Sequence, residues 1–176
     1  LTSTYGGADV GNYAITDQAT ATANIDKAEL TISGITAANK TYNGNRDAVV
    51  STANVVRTGL IANDDLTVTT TGLVSDKNAS STAKTVTLTS TYGGADARNY
   101  TITDQATTTA SINKAMLTIS GITAANKTYD GTRNATVSTA NVVRSGLVSG
   151  DNLTVTVTAT GLFSDKNAGN GKTVAL

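Results

Sequence analysis

The chain has 176 residues, thirteen basic and thirteen acidic, and contains no His, Cys, Trp or Pro. Without Cys there is no disulfide framework and no thiolate metal site, and without His the commonest general base and metal ligand are missing. Its charges are scattered, so no polybasic face for nucleic acid or anionic lipid is expected, and no apolar run approaches the roughly 20 residues of a membrane-spanning helix.

What remains is rich in Thr, Val, Asn and Gly, with Phe163 the single Phe. Thr and Val favour strands, while Asn, Gly and Asp supply turns, so an all-β chain is expected. The length fits one domain or two small ones. The pattern is already under way at Leu1, so the chain reads as a piece of something longer.

Taken in order, strands are expected at Glu29–Gly34, Ala48–Ser51, Asn54–Thr58, Leu66–Thr71, Lys84–Ser90, Asn99–Thr103 and Thr107–Ile112. Alternation turns Leu30, Ile32, Leu66, Val68, Val86, Leu88, Tyr100 and Ile102 inward. Thr36–Asn39 reads as one turn of helix. Asn43-Gly44, Asp130-Gly131 and Tyr92-Gly93-Gly94 read as turns needing positive φ.

The chain also repeats itself. Residues 1–60 align with 88–147 without a gap, 48 of 60 pairs being identical, and TISGITAANKTY at Thr31–Tyr42 recurs letter for letter at Thr118–Tyr129. The copies then slip: Thr67–Leu73 spans seven residues and Thr154–Leu162 spans nine. An insertion of two leaves every strand side chain on its original face, so Thr154–Ala159 reads as a lengthened strand. A period of 87 is the size of a small domain, not of a solenoid rung. The expected fold is two tandem small antiparallel β-sandwich-like modules in an elongated arrangement.

Three frames are open. The modules are 1–87 and 88–176, which is favoured, or a tail (1–26), a complete module (27–113) and an incomplete one (114–176). In a third frame one molecule's tail completes another's open end by strand complementation.

The segments NKTYDG (Asn126–Gly131), SDKNAG (Ser164–Gly169) and GGADARNYTITDQATTTASI (Gly93–Ile112) resemble the YDG family of repeats, which is related to the MBG repeats. The resemblance covers essentially the whole chain. It implies tandem β modules of very large secreted bacterial adhesins, including haemagglutinin-like exoproteins, that build a stalk and do not catalyse. It singles out Tyr42, Asn43, Gly44, Asp76, Lys77 and Asn78 in one copy, Tyr129, Asp130, Gly131, Asp165, Lys166 and Asn167 in the other, and Asn99-Tyr100. Asn43 stands where the motif has Asp, which fits a turn position that either residue fills.

Other residues invite sharper readings. Lys40 or Lys127 with Asn78 or Asn167 holds the ingredients of a Lys–Asn isopeptide cross-link, against the plainer reading of exposed lysines beside turns. Asp9, Asp17, Asp64, Asp65, Asp104 and Asp151 offer carboxylates for Ca²⁺, yet no dense Asp loop is spelled, so turn capping is the simpler role and no cofactor is expected. The rows Thr67/Thr69/Thr71, Thr154/Thr156/Thr158 and Thr20/Thr22 are either a flat hydroxyl array for ice or polysaccharide or solvated strand faces. The six Tyr, three per period, suit core or corner packing with the hydroxyl tied to backbone. No Ser/His/Asp, Cys/His or phosphate-loop set can be assembled, so no enzyme is expected. The expected partners are neighbouring repeats in the same chain. Host or matrix glycans, or a like molecule, are the alternative, at the bacterial surface or outside the cell.

Overall fold

A computed structural model describes residues 3–156 and 161–176. It is almost entirely β, in several small sheets. Nine strands occupy residues 28–113: β1 (Ala28–Ser33), β2 (Thr36–Ala38), β3 (Lys40–Thr41), β4 (Val49–Ser51), β5 (Val56–Thr58), β6 (Thr67–Val74), β7 (Ser80–Gly93), β8 (Tyr100–Thr103) and β9 (Thr107–Asn113). They form a three-stranded sheet ordered β5-β1-β8, a four-stranded sheet ordered β3-β9-β7-β6 and a β2-β4 pair.

The core lies between the two larger sheets. Leu30 and Ile32 face it from one, and Val74, Val86, Leu88, Ala110 and Ile112 from the other. Ile35 and Tyr100 are buried with them. Alternation produces this directly: β1 buries Leu30 and Ile32, and β7 buries Val86 and Leu88, each pair flanking an exposed Thr. Leu30, Ile32, Leu66, Val86, Leu88 and Tyr100 are buried as the pattern requires, and Val68 and Ile102 are half-buried against them. Gly72 sits opposite Leu88 where an added Cβ would meet Val50 and Val86, so the sheets close over a position with no side chain.

Most ladders are antiparallel, but two are parallel: β1 with β8 (Ala28 beside Tyr100) and β3 with β9 (Lys40 beside Ile112). Both join the first strands to the last across connections long enough for a parallel crossover. The helical turn expected at Thr36–Asn39 is instead β2, because Thr36, Ala37 and Ala38 find ladder partners in Ser51, Val50 and Val49. Alanine's local preference yields to an available partner strand. The strands around Leu66–Thr71 and Lys84–Ser90 run longer than expected, to Val74 and from Ser80 to Gly93, since each supplies the other's ladder.

Residues 114–176 repeat part of this design with β10 (Thr118–Ser120), β11 (Thr123–Ala124), β12 (Asn134–Ala135), β13 (Val137–Ser138), β14 (Val143–Ser145), β15 (Gly161–Phe163) and β16 (Val174–Ala175). Register is kept: Ile119 faces Arg144 as Ile32 faces Arg57. Their sheets hold only two or three strands, and Ala135 is the one buried hydrophobic side chain of 114–176 among the described residues. The expected strand Thr154–Ala159 lies partly outside the described residues, as does Thr158 of its threonine row. Thr67, Thr69 and Thr71 lie on the exposed face of β6. Residues 3–27 are exposed throughout and hold only a 3-10 turn at Val10–Asn12. Among the described residues no helix is long and apolar enough to cross a membrane.

Candidate functional site

The two motif segments of each copy fold into neighbouring turns. In the first copy Gly44 takes φ 82° and closes the turn after β3. Lys40 reaches over that turn, its Nζ donating to the carbonyls of Asn45 (3.0 Å) and Asp47 (2.9 Å) and to Asn45 Oδ1 (2.6 Å). Asn43 Oδ1 accepts from the Asn45 amide in an Asx turn. The second copy does the same job with other atoms. Lys127 Nζ donates to the Thr132 carbonyl at 2.9 Å and hydroxyl at 3.0 Å, and to Asp130 Oδ1 at 2.8 Å, while lying 5.7 Å from the centre of the Phe163 ring.

The Asp-Lys-Asn turns are also self-contained. Asp76 Oδ1 accepts from the Asn78 amide at 2.8 Å and pairs with Lys84, and Asp165 does the same with the Asn167 amide and Lys172. Two arginines tie the motif segments together: Arg46 Nε donates to the Val74 carbonyl, and Arg133 Nε to that of Phe163, each at 2.7 Å. Sequence reasoning missed Arg46, Arg133, Lys84 and Lys172. The available signal was that each recurs in the other copy.

The isopeptide candidates are placed differently in the two copies. Lys40 is spent on its own turn, while Asn78 lines a recess with Tyr42, Ala79, Lys114 and Ala115, where the second copy begins. Lys127 and Asn167 line one cleft with Tyr129, Phe163, Asp165 and Lys166. Tyr42 reaches furthest. Its amide donates to the Asn113 carbonyl at 2.8 Å, and its hydroxyl donates to Asp151 Oδ1, also at 2.8 Å. That hydrogen bond holds the phenol above its ordinary pKa, with burial adding to it.

Tyr100 uses its hydroxyl as the corner residue the sequence suggests. It accepts from the Ile61 amide at 3.0 Å and donates to Asp64. Asn99 ends the short turn before β8, its amide donating to Asp96 O. Three of the six aspartates weighed for Ca²⁺ accept hydrogen bonds within the chain: Asp64 from Tyr100, Asp151 from Tyr42, and Asp65 from the Ala95 amide. Among the described residues no three acidic side chains converge on one point.

The YDG domain model matches residues 26–110 and 113–176. The chain belongs to the YDG domain family. No curated protein and no solved structure matches it. In both YDG domains the motif Gly and Lys, with Asn43 or Asp130 and with Asp76 or Asp165, thus build paired turns, and the exchange of Asp130 for Asn43 changes the partner of the Lys without releasing the turn.

That exchange has a pH signature. Lys127 and the Thr132 amide and hydroxyl hold the Asp130 carboxyl down to about 2, and Lys84 and Lys172 lower Asp76 and Asp165. A depressed folded pKa stabilises above the unfolded value of about 4 and loses that contribution as pH falls through the folded one. The Thr132 amide resonance is therefore expected to titrate with a midpoint near 2, and Asp130→Asn to abolish the transition. An ordinary carboxylate midpoint in the intact chain would show that the Lys127 pairing does not form in solution.

Proposed function

We propose that this chain is a non-catalytic structural segment of a secreted or surface-attached bacterial adhesin, a stalk of YDG domains that projects a distal adhesive region. On this reading 27–113 is one mechanical module. The observation that carries it is the pairing of first strands with last in parallel. Tension on the two ends of 28–113 draws β1 towards its N-terminus and β8 towards its C-terminus. The Ala28–Tyr100 to Thr31–Thr103 ladder is then loaded along the strands, so its hydrogen bonds resist together rather than opening one by one. The β3–β9 ladder is loaded the same way. The motif residues support this role, since Lys40 holds the turn after β3, Asp76 that between β6 and β7, Arg46 ties the two turns together, and Tyr42 contacts the next repeat.

Single-molecule pulling tests the reading. The chain is expected to give a resolved unfolding peak that releases about 3.3–3.6 Å per residue over the 86 residues of 28–113. Extension without a force peak, or carbohydrate-specific binding of the chain on a glycan array, would replace the stalk with a weak multivalent glycan- or matrix-binding module.

A further inference from the structure

Both motif turns of 28–113 lie at the end of the domain from which the chain leaves. Four residues, 114–117, connect β9 to β10. Tyr42 stands beside that exit, its amide bonded to the Asn113 carbonyl, and Asn78 lines a recess with Tyr42, Lys114 and Ala115. Domains joined by one short connection swivel about it unless a further contact holds them.

Here the further contact is a turn at 148–151. It is closed by the Asp151 amide donating to the Val148 carbonyl at 3.0 Å, with Gly150 at φ 87°. It meets the preceding domain's motif turn through two side chains. Asp151 Oδ1 accepts from the Tyr42 hydroxyl at 2.8 Å, across 109 residues of sequence. A Cβ added at Gly44 would lie 3.0 Å from Val148 Cγ1, so Gly44 permits this approach as well as its own positive φ. The peptide link at Lys114, the polar contact at Tyr42 and the close approach at Gly44 together fix one domain against the other.

We propose that the paired motif turns of one YDG domain are the docking face for the 148–151 turn of the next, and that the Tyr42–Asp151 bond locks the two at one angle. Comparing the copies sorts the motif accordingly. The position that differs serves its own turn: Asn43 accepts from the Asn45 amide, and Asp130 from Lys127 and the Thr132 amide. The two residues that meet the next domain are unchanged, as Tyr42 and Tyr129 and as Gly44 and Gly131. The receiving turn recurs too. Residues 61–64 close through the Asp64 amide and the Ile61 carbonyl at 3.2 Å, with Asn63 at φ 73°. Asp64 receives the Tyr100 hydroxyl of its own domain, and a carboxylate has acceptor sites enough for a tyrosine from each side.

The lock rests on the stalk reading and deepens it, since a fixed angle at each joint turns a row of domains into a rod. The two fail separately: pulling reports on the strength of 28–113, and the lock is read from distances between 28–113 and 114–176.

The chain has no Cys, so Thr89→Cys on the exposed face of β7 and Ser138→Cys on β13 carry a pair of spin labels. Their distance distribution in the full chain, measured by double electron–electron resonance, is expected to be one narrow peak. Tyr42→Phe keeps the ring and removes the donor, and Asp151→Ala removes the acceptor from the other domain. Each is expected to lower the ratio of docked to undocked chains by about tenfold, read as loss of the narrow peak to a broad one. The double variant is expected to do no more than either alone, because both ends belong to one bond. The Tyr42 phenol, held above its ordinary pKa by Asp151, is expected to titrate lower in Asp151→Ala, as followed by its ring resonances. A broad distribution in the unaltered protein, or a narrow one that survives either substitution, overturns the proposal.

Discussion

Ile32→Ala is expected to destabilise 28–113 by about 2–5 kcal/mol, while Ile119→Ala costs about 1 kcal/mol or less. The two isoleucines lie inside the same twelve-residue sequence, face equivalent arginines and share the same strand register. They differ in what lies over them. Ile32 is 2% exposed beneath the opposing sheet, so truncation leaves a cavity in addition to the lost transfer energy. Ile119 is 37% exposed, so truncating it leaves a dent open to solvent rather than a closed cavity. Urea denaturation followed by far-ultraviolet circular dichroism measures both. Equal losses would mean that 114–176 closes its own core.

This contrast marks what a single sequence reveals. Alternation located β1, β7 and β8 and turned Leu30, Ile32, Val86 and Tyr100 inward, because a strand with one buried face writes a period of two into its own residues. The turns were legible at Asn43-Gly44 and Asp130-Gly131, where Gly44 and Gly131 take positive φ. Pairing was not legible. Nothing in Ala28–Thr31 announces a parallel partner at Tyr100–Thr103, and nothing in Thr36–Ala38 announces β4. The candidate site was half readable. The family motif marked Tyr42, Asp76 and Asn78, but the reach of Lys40 across its turn and the bond from Arg46 to the Val74 carbonyl depend on how two distant turns dock. TISGITAANKTY makes the limit concrete, since the same letters are core in one place and surface in another.

The strand that decides between those states is β9. Ile112→Asp is expected to cost 28–113 about 3–5 kcal/mol, enough to remove most of the stability of a small domain. β9 lies between β3 and β7, parallel to one and antiparallel to the other, so it is the element that joins the first third of the module to its longest strand. Ile112 is wholly buried on it, beside Val74 and Val86 in the same core, and the neighbouring lysine is committed to its own turn. A carboxylate there has no cation to pair with and must either ionise without water or fold as the acid, and both cost more than the lost methyl groups. Ile112→Val is the control at about 0.5–1.5 kcal/mol, because it trims volume and leaves the site apolar. Loss of the cooperative unfolding transition in Ile112→Asp, with its retention in Ile25→Asp, is the expected pair of results. If both variants unfold alike, residues 3–27 contribute to the 28–113 core; if neither does, β9 is not the strand that closes it.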